Sequence, residues 1–418
     1  MRKNWAGNYE YQAHSVLEPQ SIAEVQEIVS CARRIKAIGS RHSFNSVADT
    51  SEAQISLGQL NRVLAIDPKA RTVRVEGGIR YGELAPILDN AGFALANLAS
   101  LPHISVAGAI STATHGSGSQ IGNLATQVVA LEIVGPDGDL RVMSKADSPS
   151  DFAAAVVSLG AIGVFASITL KVEPRYDVSQ IVYRGLNHTQ LAAHFDEVFE
   201  AGTSVSVFTS WRGSDTSAVW VKTRANERSS HHLSDLSGVV QATKACHPLP
   251  AGNSEVCTQQ LGIVGPWFRR LPHFEMEFTP SSGAEIQAEF FLERRFGPQA
   301  IMAILELGDA LAPVLMVSEL RTIAADDLWL SPGYLGPLIA IHFTFRRHPE
   351  GVRQIVPIIE AALKPFGAVP HWGKIANFDS RYLASRYPNF GRFRDFVQDM
   401  DPNRVFSNTY LDHLLGCN

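Results

Sequence analysis

The chain has 418 residues, of which 45% are hydrophobic and 18% are charged, and its formal net charge is −5 at pH 7. This length favours two domains, and the absence of any Lys/Arg run argues against nucleic acid as a partner. No apolar run approaches the ~18 residues of a membrane-spanning helix, so no membrane partner is expected. The cysteines at positions 31, 246, 257 and 417 show no CxxC spacing, which favours a reducing, cytoplasmic setting without a zinc site or a disulfide framework.

The first 173 residues predict an α+β unit of short strands with helices outside. Apolar residues at helical spacing predict a helix over residues 21–34, opened by a capping box of Ser21 and Glu24. No strand feeds a GxGxxG motif into a helix, so a Rossmann dinucleotide site is not expected. The other predicted elements here are a strand at 35–38, a hairpin of 63–66 with 72–75, a helix at 81–91, a strand pair of 128–134 with 140–143, a helix at 151–159 and a strand at 164–172.

From about residue 178 the pattern changes to longer strands that are rich in aromatic residues. These strands are predicted at 205–211, 218–222 and 284–292. We therefore predict a first domain over 1–173 and a second, sheet-based domain over 174–375. The tail, 376–418, is too short to be a domain and is expected to pack back on the first one.

Residues 100–118 form the most unusual stretch, SLPHISVAGAISTATHGSG. It is rich in Ser, Thr, Gly and His and contains no Lys, Arg, Asp or Glu. Gly108 and its neighbours let the backbone approach a ligand closely, and backbone N–H groups with hydroxyl donors suit a diphosphate. A small-residue turn between two strands is the alternative, and this stretch alone does not separate the two.

A second candidate anion-binding loop, GSRHSFNS, occupies residues 39–46, directly after a predicted strand. Gly39 frees the turn, Ser40 and Ser43 add hydroxyl donors, and His42 lies at the apex. A single histidine is more often a structural or a surface residue, so its meaning depends on the rest of the chain.

Two strand-like runs further along place polar residues at alternate positions. Alternation puts Glu319 and Arg321 on one face of residues 318–322, and it puts His342 and Thr344 together in residues 340–345. Two such strands would build a polar floor in a hydrophobic setting. For either strand alone, a solvated sheet face is the more common explanation.

These segments, in this order, resemble the vanillyl alcohol oxidase superfamily of flavoproteins, and most closely its alditol oxidases. The resemblance rests on the G-x-x-H-S loop, on I-S-V-A-G followed by T-x-T-H-G-S-G, on ELRT at 319–322 and on HWGK at 371–374. It extends across nearly the whole chain and implies an α+β, two-domain flavoprotein with an FAD-binding domain and a substrate domain.

Position 41 departs from the pattern, with Arg where many relatives have Gly. We expect Arg41 to point to solvent or to a nearby carboxylate, the alternative being neutralisation of the pyrophosphate.

The resemblance implies FAD as the cofactor, bonded covalently through His42. A neutral imidazole nitrogen is a competent nucleophile near pH 7, which fits this attachment. The segment GAIG at 160–163 can also be an ordinary helix-to-strand turn. The further residues implied to contact FAD are Ile38, Gly39, Ser40, Arg41, Ser43, Ser100, Ser105, Gly108, Thr112, Ala113, Thr114, His115, Gly160, Gly163, Phe165 and His371.

The polar floor suits a polyol, because fixed hydroxyls need donors and acceptors in a rigid array. With the resemblance, the expected substrate-binding residues are Ser100, Glu319, Arg321, His342, Thr344 and Lys374, of which Arg321, His342 and Lys374 are expected to be catalytic. The implied reaction is hydride transfer from the terminal carbinol carbon to flavin N5, followed by reduction of O₂ to H₂O₂. Lys374 and Arg321 would stabilise the developing alkoxide, and a role for Lys374 as base is the weaker alternative.

Several other functions stay open on the sequence. A sugar-lactone oxidase shares the fold, the His loop and a similar HWGK segment, and a dehydrogenase would pass its electrons to a quinone or dye instead of O₂. A metal-dependent hydrolase is disfavoured, because His231 and His232 are adjacent and no HExxH occurs, so no metal is expected. A binding protein would not need two anion loops and a polar floor. We expect a monomer.

Overall fold

The computed structural model describes residues 2–213, 216–227, 231–249, 252–278, 285–377 and 379–416. Short strands alternate with helices in the first 173 residues, and longer strands follow. The strands are, in chain order, β1 (Ser15–Leu17), β2 (Ile35–Ile38), β3 (Ala53–Ser56), β4 (Val63–Asp67), β5 (Thr72–Glu76), β6 (Phe93–Ala94), β7 (Val128–Val134), β8 (Leu140–Ser144), β9 (Val164–Lys171), β10 (Glu173–Pro174), β11 (Asp177–Arg184), β12 (Ser204–Thr209), β13 (Ala218–Arg224), β14 (Val240–Gln241), β15 (Gly265–Pro266), β16 (Glu285–Glu293), β17 (Leu315–Ile323), β18 (Leu338–Arg346) and β19 (Val369–Pro370).

The helices surround these strands, and among the described residues none is both long and apolar enough to cross a bilayer. They are α1 (Ile22–Ser30), α2 (Tyr81–Asn90), α3 (Val106–Ser111), α4 (Pro149–Ala155), α5 (His188–Ala193), α6 (Phe195–Phe199), α7 (Gly297–Leu305), α8 (Gly308–Leu311), α9 (Pro349–Leu363), α10 (Ser380–Arg386), α11 (Phe390–Met400) and α12 (Thr409–Leu415). The predicted helix end near residue 34 is wrong, because residues 31–34 turn the chain from α1 into β2.

The capping box predicted for α1 is only half formed. The Ser21 hydroxyl accepts a hydrogen bond from the Glu24 N–H at 3.2 Å. The Glu24 carboxylate, however, accepts from the N–H of Gln20 at 2.8 Å, one residue before the predicted partner. The predicted helix over 151–159 is also misplaced, since α4 begins at Pro149 and ends at Ala155.

Two sheets occupy the first part of the chain. The parallel one has the order β1-β3-β2, and the antiparallel one has the order β4-β5-β9-β7-β8. The predicted strand pairs are confirmed as the antiparallel neighbours β4 with β5 and β7 with β8. Because β2 ends at Ile38, it delivers the 39–46 loop directly from a buried strand.

The later strands form a nine-stranded sheet with the order β14-β11-β13-β12-β17-β18-β16-β19, in which β15 also pairs with β11. Central strands β17 and β18 are antiparallel and place Glu319 opposite His342. The strand predicted at 205–211 ends early, at Thr209, and Trp211 has a φ of 58° that a strand does not allow. The strand predicted at 284–292 corresponds to β16, and its first predicted residue lies outside the described residues.

The tail of the chain contacts the 39–46 loop. The Asn408 side-chain amide donates to the carbonyl oxygens of Ser46, Val47 and Asp49 at 2.8 to 3.1 Å.

The domain boundary at 173/174 stays a prediction, since β10 spans it and pairs with β6. One hydrophobic core also holds residues from both sides of this boundary, such as Leu170 and Phe291.

Candidate active site

A cavity of about 650 Å³ lies between the two predicted anion loops and the polar face of β16, β17 and β18. Its size is typical of a ligand pocket. All six residues predicted to bind substrate line it, and so do all those predicted to bind FAD except Ala113, which is buried. The lining residues predicted to bind FAD are Ile38, Gly39, Ser40, Arg41, His42, Ser43, Ser100, Ser105, Gly108, Thr112, Thr114, His115, Gly160, Gly163, Phe165 and His371.

The two loops hold each other. The Ser105 N–H donates to the Ser40 hydroxyl at 3.2 Å. A Cβ added to Gly39 would lie 2.4 Å from the Ser105 Oγ, so this contact requires glycine at position 39. The Ser105 Oγ itself is buried and has no hydrogen-bond partner among the described residues. A buried hydroxyl without a partner indicates that a ligand completes the site.

The 39–46 loop is also fastened to the HWGK segment. The Asn45 side-chain amide donates to the carbonyl oxygens of Trp372 and Lys374, at 2.8 and 2.9 Å. The Phe44 N–H donates to the Gly373 carbonyl oxygen at 2.7 Å. These bonds bring together two segments that are about 330 residues apart in sequence, so His42 and Lys374 face one cavity.

Arg41 has a φ of 63°, in the left-handed region that favours glycine. Glycine would adopt this conformation without strain, which fits the glycine that the resemblance implies here. The Arg41 carbonyl oxygen accepts from the Trp5 N–H at 2.8 Å, and the residue is exposed. The loop therefore keeps its backbone path despite the Cβ.

The His42 ring stacks on Trp5, with ring centroids 4.9 Å apart. Both ring nitrogens are buried, and neither has a hydrogen-bond partner within the described part of the chain. Burial, together with the positive charge of Lys374, lowers the pKa of His42 to about 3. The imidazole is therefore neutral across the physiological range and keeps a nitrogen lone pair available for bonding.

Other residues predicted to contact FAD have partners in the protein. The His115 Nδ1 lies 2.8 Å from the Gly116 carbonyl oxygen, and its Nε2 lies 3.1 Å from the Glu289 carboxylate. The His371 Nδ1 accepts from the Gly373 N–H at 3.0 Å. Gly160 has a φ of 64° and lies in a turn before β9, as the alternative interpretation of GAIG holds.

The predicted polar floor is assembled from β17 and β18. Glu319, Arg321, His342 and Thr344 are each between 6% and 9% exposed, so this face is not solvated. Ser100, from the 100–118 loop, accepts a hydrogen bond from the Arg321 Nη1 at 3.3 Å. The structure thus brings all four strand residues and Ser100 to one cavity.

The floor has a third strand, β16, which was predicted as a strand but not as part of this site. Its register places Glu289 opposite His342 and Gln287 opposite Thr344. The Glu289 Oε1 accepts from the Arg321 Nη2 at 2.8 Å and lies 3.1 Å from His115, so it joins β17 to the 100–118 loop. The sequence does contain the pattern that predicts this polar face, because polar residues alternate with apolar ones from residue 285 to residue 290.

Lys374 contacts this third strand. Its Nζ donates to the Gln287 Oε1 and lies 4.8 Å from the centroid of the Phe44 ring. The Gln287 amide donates in turn to Glu285. Burial lowers the pKa of Lys374 to about 8, while the carboxylates of Glu289 and Glu285 oppose that shift.

The charges of the floor are set by mutual contacts. Burial would raise the pKa of Glu289 and Glu319, but Arg321 and neighbouring histidines hold both well below the usual range. Burial opposes the charge of Arg321 too, yet Glu319 and Glu289 raise its pKa. Burial lowers the pKa of His342 to about 3. Near neutral pH the floor therefore holds two carboxylates, a guanidinium, an ammonium and a neutral imidazole.

Comparison with known proteins matches two family models to this chain. A model described as an FAD-binding domain matches residues 13–144. A model described as D-arabinono-1,4-lactone oxidase matches residues 287–414. The first match contains both loops, and the second contains β17, β18 and the HWGK segment.

Similar proteins cover the full length of the chain. An alditol oxidase from a Streptomyces species is 42% identical over 99% of this chain and 98% of its own. An L-gulono-1,4-lactone dehydrogenase from Mycobacterium tuberculosis is 29% identical, over 99% of this chain and 98% of its own. The crystal structure of a carbohydrate oxidase from Microdochium nivale superposes with a TM-score of 0.74 and 15% identity, covering 96% of this chain and 92% of the other.

The fold, the cavity and the matched FAD-binding domain together define an FAD-dependent flavoenzyme. The chain belongs to the alditol oxidase family of FAD-dependent oxidases. The predicted fold class and FAD as the cofactor are thereby confirmed, while the covalent bond through His42 stays a prediction. The residues of the cavity fit FAD, because the His42 ring nitrogens and the Ser105 hydroxyl are buried and have no hydrogen-bond partner among the described residues.

We expect the Glu289→Gln variant to lose about 3 kcal/mol of unfolding free energy, because Arg321 then loses its shorter buried ion pair and keeps only the longer one with Glu319. Denaturant unfolding of both proteins measures the loss. In the double variant Glu289→Gln/Arg321→Met, which carries neither charge, we expect part of the stability to return. A loss in the double variant equal to the sum of the losses in Glu289→Gln and in Arg321→Met, each measured alone, would contradict the pairing of Glu289 with Arg321.

Proposed function

We propose that the protein oxidises the terminal primary alcohol of alditols such as xylitol and sorbitol to the aldose and reduces O₂ to H₂O₂. The observation that carries this proposal is a buried, charged floor in the same cavity as the two FAD loops. The alditol oxidase with 42% identity along the whole chain supports the same substrate class.

The floor offers a polyol both donors and acceptors. The Glu319 carboxylate accepts from substrate hydroxyls, while Arg321 and Ser100 donate, and Thr344 can do either. The neutral His342 supplies one donor and one acceptor nitrogen. Because these side chains are buried on paired strands, their spacing is fixed before the substrate enters, which reduces the ordering cost of binding.

Lys374 and Arg321 supply the positive charge of the site. The two loops and His42 would hold FAD, which would supply the acceptor for a hydride from the carbinol carbon and the route of its two electrons to O₂. As the hydroxyl proton passes to the acceptor nitrogen of the neutral His342 imidazole, negative charge develops on the substrate oxygen, and the two cations stabilise it without reorganisation. The Gln287 carbonyl holds the Lys374 ammonium in place.

A sugar-lactone oxidase is the second candidate, favoured by the model of D-arabinono-1,4-lactone oxidase that matches residues 287–414. Anaerobic mixing of the purified holoenzyme with xylitol or with L-gulono-1,4-lactone separates the two. We expect xylitol to bleach the flavin absorbance and, in air, to yield one peroxide per aldose. Fast bleaching by the lactone alone would overturn the alditol assignment, and bleaching by xylitol without peroxide in air would identify a dehydrogenase.

The covalent bond to FAD is proposed at His42, on the evidence of its neutral, unpartnered ring nitrogens. In acid-precipitated protein, we expect the yellow colour to stay in the pellet, and in His42→Ala to pass into the supernatant. His103→Ala is the matched control, because His103 bonds to the Met276 carbonyl oxygen at 2.9 Å and should leave the colour in the pellet. Retention of colour by the His42 variant would place the bond elsewhere.

The charge of Lys374 gives the activity a pH dependence. Its pKa is lowered to about 8, so the ammonium is present below that pH and is lost above it. If Lys374 acts as a cation, the kcat/KM for xylitol is maximal below pH ~8 and falls above it; a Lys374 base would make kcat/KM rise through the same range. We expect the fall, and we expect Lys374→Met to slow flavin reduction at least about 100-fold while retaining FAD.

We further propose that the protein acts as a cytoplasmic monomer. The cysteines within the described residues, at positions 31, 246 and 257, are free thiols, which suits a reducing compartment. Cys417 lies outside the described residues.

A further inference from the structure

One hydrogen bond of the floor comes from outside its three strands. The His273 Nε2 lies 2.7 Å from the Glu319 Oε1. His273 is 5% exposed and follows β15 in a loop that covers this end of the sheet. The rings of Phe208 and Trp220 contact it edge-on, with centroids 5.5 and 5.2 Å away, so packing fixes the plane of the imidazole.

A buried lysine contacts the other nitrogen of the same ring. Lys222, on β13, is 1% exposed, and its Nζ lies 3.0 Å from the His273 Nδ1. The same ammonium donates to the carbonyl oxygens of Leu271 and Pro272, at 2.6 and 3.0 Å. All three donors of the ammonium are therefore used on the segment that carries His273.

We propose that Lys222 and His273 are positioning residues, which fix the orientation of the Glu319 carboxylate for substrate hydroxyls. This inference rests on the proposed function. Both residues lie outside the HWGK segment and outside β17 and β18.

The direction of each bond follows from charge. Glu319 is ionised, because Arg321 and His273 hold its pKa low against the effect of burial, so the carboxylate can only accept. The proton of the neutral imidazole therefore lies on the His273 Nε2, and the Nδ1 can only accept. Lys222 in its ammonium form is the donor that satisfies this Nδ1. Burial lowers the pKa of Lys222 to about 7, and the Glu319 carboxylate opposes that shift. The lysine thus selects the tautomer in which His273 donates to Glu319.

Glu319 needs this second donor because it has a competing partner. The Arg321 Nε lies 3.5 Å from the same Oε1. The only hydrogen bond that the described residues give Glu319 is the one from His273, so the imidazole sets the orientation of the carboxylate beside the Arg321 charge. Both contacts use Oε1, and the second oxygen is left to accept from a hydroxyl of the substrate.

The test compares His273→Phe, which keeps an aromatic ring but donates nothing, with His273→Gln, whose amide can donate to Glu319 and accept from Lys222. Thr258→Val is the control, because Thr258 bonds to the Pro272 carbonyl oxygen at 2.7 Å on the same segment without contacting Glu319. Stopped-flow reduction of each holoenzyme by xylitol, without O₂, separates the Kd of the substrate from the limiting rate of reduction.

We expect His273→Phe and Lys222→Met to raise the Kd for xylitol about tenfold or more, with a smaller change in the limiting rate. His273→Gln should stay within about threefold of the wild type and Thr258→Val within about twofold. Equal loss of affinity in the Phe and Gln variants, or none in either, would overturn the proposal.

A second measurement does not depend on turnover. In nitrogen NMR spectra of protein labelled at histidine, the resonance lost in His273→Gln identifies His273, and its shifts distinguish the two tautomers. We expect the Nε2–H tautomer in the wild type and a mixture in Lys222→Met. An Nδ1–H tautomer in the wild type would overturn the positioning role, whereas the correct tautomer in a protein that xylitol does not reduce would overturn the proposed function alone.

Discussion

The carboxylate of Glu289 ties the cofactor side of the cavity to its substrate side. It is buried between His115, in the 100–118 loop, and Arg321, on β17. An isolated charge at this depth would cost several kcal/mol, so the carboxylate is stable only while both partners stay within hydrogen-bond distance. The spacing between loop and strand is therefore set by two short polar contacts, which tolerate less variation than apolar packing. The orientation of Arg321, and through it that of Ser100, follows from this constraint.

The sequence predicted those features of the site that depend on residues close together in the chain. Alternation of polar and apolar residues was sufficient to group Glu319 with Arg321 and His342 with Thr344, because a strand has a period of two whatever it pairs with. Loop composition indicated close backbone approach at Gly39 and Gly108, since this property belongs to single residues. Motif order then connected both loops with ELRT and HWGK.

What the sequence did not predict depends on contacts between distant segments. Glu289 lies on a strand that was expected, but its role in the site depends on contact with His115, 174 residues earlier. Lys222 is on an apolar strand, where a lysine suggests an exposed edge, and only the fold shows its Nζ beside His273. The early end of α1 has a similar cause, since Ile35 begins β2 by donating to the Val405 carbonyl oxygen at 2.8 Å.

The three hydrogen bonds from Asn408 to the backbone of residues 46–49 connect positions 359 to 362 residues apart. The loop that carries His42 is therefore completed by a side chain that is synthesised about 360 residues later. During translation, β2 and the turn at Gly39 leave the ribosome well before Asn408 does. A product that ends before residue 408 would lack these three bonds, and its loop would be unsupported.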